Sequence, residues 1–250
     1  RDSSTSRGLG DVYKRQLLLF IVLLCTVACS SDENFDQSSL ENIDFRVSVV
    51  GQSRVAIQKN GSGDFQAGDE VALRVYESQP DKFQDNKLLY CEGNRWTSSL
   101  YWKDWKGTPH FYAVWPSATQ VELWEGTCWY VHRVSMNQSA EEDFLFSDLL
   151  VADAAGERYS PVNLVFRHAM SRVMVNIKNM EILSDEERQQ VQVFVHGYLS
   201  GRFALSGNAV QAAEEMDWIQ AYPMNEDGSF TALVVPGELE RFRTEGWIKI

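Results

Sequence analysis

The residue types that do chemistry are present in this chain, but never in the spacing that chemistry needs. The four histidines, His110, His132, His168 and His196, stand far apart, and none lies in an HExxH or CxxC setting that would hold a metal ion. Gly61-x-Gly63 is followed by Gln66 where a dinucleotide loop needs its third glycine, so it reads as a turn. Ser200 in Gly197-Tyr198-Leu199-Ser200-Gly201 stands one place too late for a nucleophile elbow. Residues 225–228 lack the ligand spacing of a calcium loop and read as a hairpin turn. Carboxylates are plentiful but scattered. No catalytic residue, metal site or cofactor is expected, and the chain does not read as an enzyme.

One cysteine does stand in a reactive context. Residues 17–28 (LLLFIVLLCTVA) are twelve apolar or small residues behind Lys14 and Arg15. That is too short to cross a bilayer as a helix, which needs about 20 residues. It suits the hydrophobic region of a signal peptide, about 7–15 residues after a positive flank. The run ends Thr26-Val27-Ala28-Cys29, which resembles a bacterial lipoprotein box, where small residues admit the peptidase and the thiol carries diacylglycerol. Thr26 departs from the usual Leu, and Cys25 is disfavoured by bulky Leu24 before it. The alternative is an ordinary secretory peptide with an incidental cysteine. Ser30-Ser31-Asp32-Glu33 resembles the tag that sends some Gram-negative lipoproteins to the outer face of the outer membrane. Residues 1–16 begin with Arg1 rather than Met, show no apolar period and read as an assembly scar. Residues 29–40 read as a polar tether.

The charge balance narrows the partners. The chain has 35 Asp and Glu against 23 Lys and Arg, a net charge of −12. Cleavage before Cys29 removes Arg1, Arg7, Lys14 and Arg15 but only Asp2 and Asp11, which takes the charge to −14. Such a surface repels a phosphate backbone, so nucleic acid is not an expected partner, and the membrane is held by lipid rather than by charge. Cys91 and Cys128 remain after processing; outside the cytoplasm they form either a disulfide or two buried thiols. Six of the eight Trp fall between Trp96 and Trp129. Most of that cluster reads as core. Trp102 and Trp105, flanked by Lys103, Asp104 and Lys106, read either as core or as an exposed pair that stacks on sugar rings.

The elements that position these residues read as strands. Ile43, Phe45, Val47 and Val49 alternate with Asp44, Arg46 and Ser48, the period of a half-buried strand. Similar runs follow at 54–58, 70–76, 109–115, 127–134, 162–166, 171–178, 191–198 and 230–235, separated by turn clusters at 59–64, 206–208 and 225–229. In 109–115, Phe111, Ala113 and Trp115 share one face and Tyr112 and Val114 the other, which marks a central strand covered on both sides. Ser184-Asp185-Glu186-Glu187 is a capping box and predicts one short helix. Small and charged residues at 153–160 mark a domain boundary, giving domains at 41–156 and 157–250. The apolar run at 247–250 reads as a strand just entered, with the second domain truncated.

Taken in order, these pieces resemble the fimbrillin family of outer-surface lipoproteins. The matching residues are Cys29 with its acidic tag, Ile43-Asp44-Phe45, Ser53-Arg54 and Phe65-Gln66-Ala67-Gly68-Asp69. After them come Trp96, Tyr101-Trp102, Phe111-Tyr112-Ala113-Val114-Trp115-Pro116 and Asp148-Leu149-Leu150-Val151-Ala152. The stretch from Val162 to Arg172 and Val234-Val235-Pro236 close the set. Ser53 stands where Thr is commoner, and Lys103 where Pro often follows the Tyr-Trp pair. The resemblance implies an all-β chain of two transthyretin-like, Greek-key β-sandwich domains, the second incomplete. It implies a structural or adhesive pilus subunit or accessory, assembled with other subunits by strand exchange after an N-terminal strand is removed. Residues 43–50 would be that strand, with Arg46 or Arg54 as the cleavage point, unless both are ordinary exposed arginines. His168 is expected to be structural. A stand-alone glycan-binding lipoprotein using Trp102 and Trp105 is the alternative function.

Overall fold

Period-two alternation along the chain becomes strands wherever a neighbour supplies hydrogen bonds. In the computed structural model, residues 42–50, 65, 68–77, 84–91, 95–124, 127–224, 228–238 and 246–250 are described. The strands of the first half are β1 (Phe45–Val49), β2 (Glu70–Tyr76), β3 (Gln84–Cys91), β4 (Arg95–Thr97), β5 (His110–Trp115), β6 (Gln120–Trp124), β7 (Thr127–Arg133) and β8 (Leu150–Ala155). Those of the second half are β9 (Val162–His168), β10 (Ser171–Asn176), β11 (Phe194–Tyr198), β12 (Ser200–Ala204), β13 (Val210–Ala212), β14 (Met216–Gln220), β15 (Tyr222–Pro223), β16 (Ser229–Val234) and β17 (Ile248–Lys249). Two short helices, α1 (Glu141–Phe146) and α2 (Asp185–Gln190), interrupt them. The chain is all-β. No helix among the described residues is long and apolar enough to cross a membrane.

The largest sheet has seven strands in the order β1-β9-β8-β5-β2-β3-β4. Its pairings are antiparallel except that β1 runs parallel to β9. One face carries a core of Phe45, Leu73, Phe111, Leu150, Leu164 and Phe166, closed by Trp96 and Trp102. On the other face Ala72, Val114 and Val151 enter a second core with Tyr130, Leu199, Phe203 and Ile219. β5 is therefore covered on both sides: Phe111, Ala113 and Val114 are fully buried. Three smaller sheets, β10-β16-β15, β14-β11-β17 and β13-β12-β7-β6, contribute to the second core.

Asn42–Ile250 is one compact unit, and strands from both sides of 156 pair: β8 and β1 with β9, and β7 with β12, where Tyr130 faces Phe203. Small residues at 153–160 serve a tight turn between paired strands. The Gly156 N–H donates to Pro109 O (2.8 Å), and a Cβ on Gly156 would lie 2.6 Å from the Phe111 ring, so only glycine fits. The predicted helix is present as α2: Ser184 Oγ accepts from the Glu187 N–H (3.3 Å), and the Ser184 N–H donates to Glu187 Oε2 (2.8 Å). One strand edge is closed by a side chain. Gln138, fully buried, donates through Nε2 to Leu233 O (2.8 Å) and accepts the Leu233 N–H at Oε1 (2.9 Å), occupying the stretch beside β16 that β15, paired only opposite Thr231 and Phe230, leaves open.

Candidate functional site: the β1 edge

The most distinctive feature is how β1 is held. Alternation turns Ile43 and Phe45 inward, 5 % and 2 % exposed, while Asp44, Arg46 and Ser48 face solvent. The Phe45 ring meets Phe111 edge-on at 5.4 Å. Five residues pair in parallel register with β9, from Phe45 opposite Val162 to Val49 opposite Phe166. Val162 N–H donates to Asp44 O (2.8 Å) and Val50 N–H to Phe166 O (2.7 Å), which extends the pairing at both ends. Among the described residues β9 is the only strand paired with β1, so β1 is an edge.

Parallel pairing is slightly weaker per residue than antiparallel pairing, and the strand lies at the start of the described body. Burying Ile43 and Phe45 contributes about 1.5–3 kcal/mol each. Taking β1 away would bare the N–H and C=O groups of β9 together with the apolar side chains of Val162, Leu164 and Phe166. Such an edge accepts another strand.

The two candidate cleavage points are not equivalent in position. Arg46 lies inside the paired strand opposite Asn163, its exposed side chain 3.9 Å from an equally exposed Asp44 carboxylate. A cut there would leave Val47–Val49 attached to β9. Arg54 follows the whole of β1 and lies outside the described residues, as does Cys29.

Trp102 and Trp105 correct the expectation of an exposed sugar platform. They are 2 % and 6 % exposed and belong to the first core. The turn Trp102–Asp104 is a 3-10 helix, whose three residues per turn put positions i and i+3 on one side. Both indoles therefore point inward while Lys103, Asp104 and Lys106 point out. Charged flanks alone could not reveal this. Cys91 ends β3 in the seven-stranded sheet, its side chain outside the described residues; Cys128 is buried on β7 in the four-stranded sheet.

His168 pairs with a partner that sequence spacing did not suggest. Its Nδ1 lies 2.7 Å from Oδ2 of Asp148, a carboxylate only 4 % exposed. Nearby His132 is buried on β7 with Nε2 3.2 Å from Ser147 O, and burial holds its pKa below the ordinary histidine value despite the carbonyl and the Asp148 charge. Tyr130 is fully buried under the Arg74 guanidinium, 5.5 Å from the ring centre, and burial pushes its hydroxyl pKa far up. Both clusters tie sheets together. Among the described residues no group of three or more His, Cys, Asp or Glu converges as a metal site.

Two cores on opposite faces of a seven-stranded sheet define an all-β fold. The sequence profile of the fimbrillin-like family matches residues 53–249, and the chain belongs to that family. It is a family of fimbrial proteins, and membership implies a surface or fimbrial location. No curated protein matches the chain. Among solved structures, a candidate cell adhesion protein from Bacteroides ovatus is similar in fold, with a TM-score of 0.54 at 14% identity over 79% of each chain. Another candidate cell adhesion protein, from Bacteroides uniformis, has a TM-score of 0.54 at 15% identity, over 78% of this chain and 76% of that one. At these identities the likeness concerns the fold.

Proposed function

We propose that this protein is made as a surface lipoprotein, anchored in the outer membrane through Cys29, and that after processing releases it from that anchor it serves as a structural or adhesive subunit or accessory of a pilus. In this reading β1 is the removable strand, cut after Arg54, and a neighbouring subunit's strand takes its place along β9. The observation that carries the reading is that Phe45 of β1, and Ile43 just before it, turn buried side chains inward, yet β1 pairs with β9 alone among the described residues. A cut after Arg46 would leave a stub in the groove, which is why Arg54 is favoured. Trypsin treatment of the purified chain tests this. Loss of the residues before Val55 followed by concentration-dependent oligomers on size exclusion is expected. A product that has lost β1 and stays monomeric at every concentration argues against polymerisation. The two alternatives for Cys91 and Cys128, a disulfide or two thiols, are separated by the mass change on reduction.

A further inference from the structure

We propose that the Ser147–Asp148 turn, gripped by one histidine from each of two sheets, is a proton-operated latch: at neutral pH it fastens α1 to the body, and in mildly acidic surroundings it releases α1 while the seven-stranded sheet stays folded.

The helix it fastens is weak by itself. α1 has six residues, and its N-cap is Ala140, which makes no side-chain capping hydrogen bond. Helices this short are marginal in water even when capped. Glu141, Glu142 and Asp143 suit the helix N-terminus but lie exposed, and Phe146 is exposed at the other end. Phe144 is the buried side chain, stacked on Tyr222 at 5.3 Å. The turn that follows is fastened more firmly. Ser147 Oγ donates to Asp143 O (2.8 Å) and accepts the Ser135 N–H (2.9 Å), and the Ala169 N–H donates to Leu149 O (2.8 Å).

Two imidazoles close on that turn. His132 comes from β7 in the four-stranded sheet, and its Nε2 lies 3.2 Å from Ser147 O, to which it donates. His168 ends β9 in the seven-stranded sheet, and its Nδ1 lies 2.7 Å from Asp148 Oδ2. The other oxygen of Asp148, Oδ1, is buried with no hydrogen-bond partner, a costly state that leaves the closed turn under load. Asp148 is also the charge that acts on the His132 ring. Arg133, next along β7, is held by Glu215 (2.6 and 2.9 Å), and Gly201, opposite His132 on β12, brings no charge. One carboxylate therefore serves two imidazoles.

Charge balance sets the response. Below the ordinary histidine value both rings call for a proton, and one carboxylate balances one imidazolium. The second leaves an unmatched positive charge in a buried site, where it is costly. Burial holds the His132 pKa below its ordinary value against the pull of Ser147 O and Asp148, so the open turn, with the ring in water, takes its proton first. As pH falls below about 6.5, each unit favours the open turn by up to about tenfold. β2 and β5 contribute no residue to the latch, and Gln138 keeps its hold on Leu233. Acid thus frees α1 and bares Phe144 and Tyr222.

Hydrogen exchange read by mass spectrometry tests the latch on the whole chain at about pH 7.5 and about pH 5, with rates corrected for the intrinsic effect of pH. Protection of residues 141–147 should fall about tenfold at the lower pH, while β2 and β5 keep theirs. His132→Gln retains a donor toward Ser147 O and takes no proton, so its α1 should exchange equally at both pH values. Unchanged protection of 141–147 in the parent overturns the proposal, as does an equal loss in β2 and β5, or a His132→Gln chain that responds like the parent. Should that variant fail to fold, His168→Asn replaces it. Its amide leaves Asp148 to balance His132 alone, so the fall at low pH should shrink, and a fall as large as the parent's overturns the latch.

Discussion

Two strand edges of this molecule are closed in opposite ways. Beside β16 the opening is filled by one side chain: the Gln138 amide takes both the N–H and the C=O of Leu233, and its loop is itself fastened by Gln138 N–H to Gln220 O (3.0 Å) and Gln220 N–H to Met136 O (2.8 Å). Beside β9 the opening is filled by a whole strand, β1, at the start of the described body. The first closure is internal to the fold and has no separable part. The second is one continuous stretch of chain, and in the proposed function it leaves in one piece. Permanence and exchangeability of an edge thus depend on whether its cover is a buried side chain in mid-chain or a strand near an end.

The largest expected effect falls on the exchangeable edge. Phe45→Ala should cost about 3–5 kcal/mol of stability in denaturant titrations, through the lost ring and the cavity beside Phe111. It should also speed hydrogen exchange along β9 before the rest of the sheet; uniform acceleration would mean that β1 does not open separately. Gln138→Ala comes next, since it strands a buried N–H and C=O on Leu233 at about 1–3 kcal/mol each. If the closures differ as described, this variant loses stability globally and does not free β1 to trypsin.

Acidification sharpens the contrast further. His132 is held neutral in the fold, so the unfolded chain takes its proton first. Its contribution to stability is complete above the ordinary histidine pKa of about 6.5 and is lost as pH falls below it. Thermal melts between about pH 8 and about pH 5, on either side of that value, should show a steeper decline in the parent than in His132→Asn. An identical decline would remove His132 from the account. The smallest effect belongs to Ser184→Ala, which unmakes the cap of the exposed helix α2 at about 0.5–1 kcal/mol and should leave both edges as they are.

Sequence patterns reached the strands that are buried on one or both faces. β2 matches its predicted run residue for residue, and β5, β7, β9, β10 and β16 match theirs within a few positions. Strands rich in polar, small or alanine residues escaped notice: β3 opens on Gln-Asp-Asn-Lys, β8 reads LVADAA, and β12 reads SGRFA. Their pairing comes from neighbours rather than from a pattern of their own. β8 runs into the boundary expected at 153–160, and its Val151 and Ala152 are fully buried within the sheet. The edge site was half legible: alternation in 43–49 disclosed a strand and its inner face, but nothing in those residues disclosed its partner.

The amino-acid sequence by itself determined the all-β class, the inward and outward faces of most strands and the capped helix, because each of these is written in spacing over a few residues, and the family through pieces taken in order along the chain. Tertiary structure alone decided that β1 lies parallel on β9, that β7 joins β12 across an expected boundary, and that Trp102 and Trp105 are core. Those choices are made between segments tens of residues apart, where shape and available hydrogen bonds select the partner and local periodicity carries no information about it.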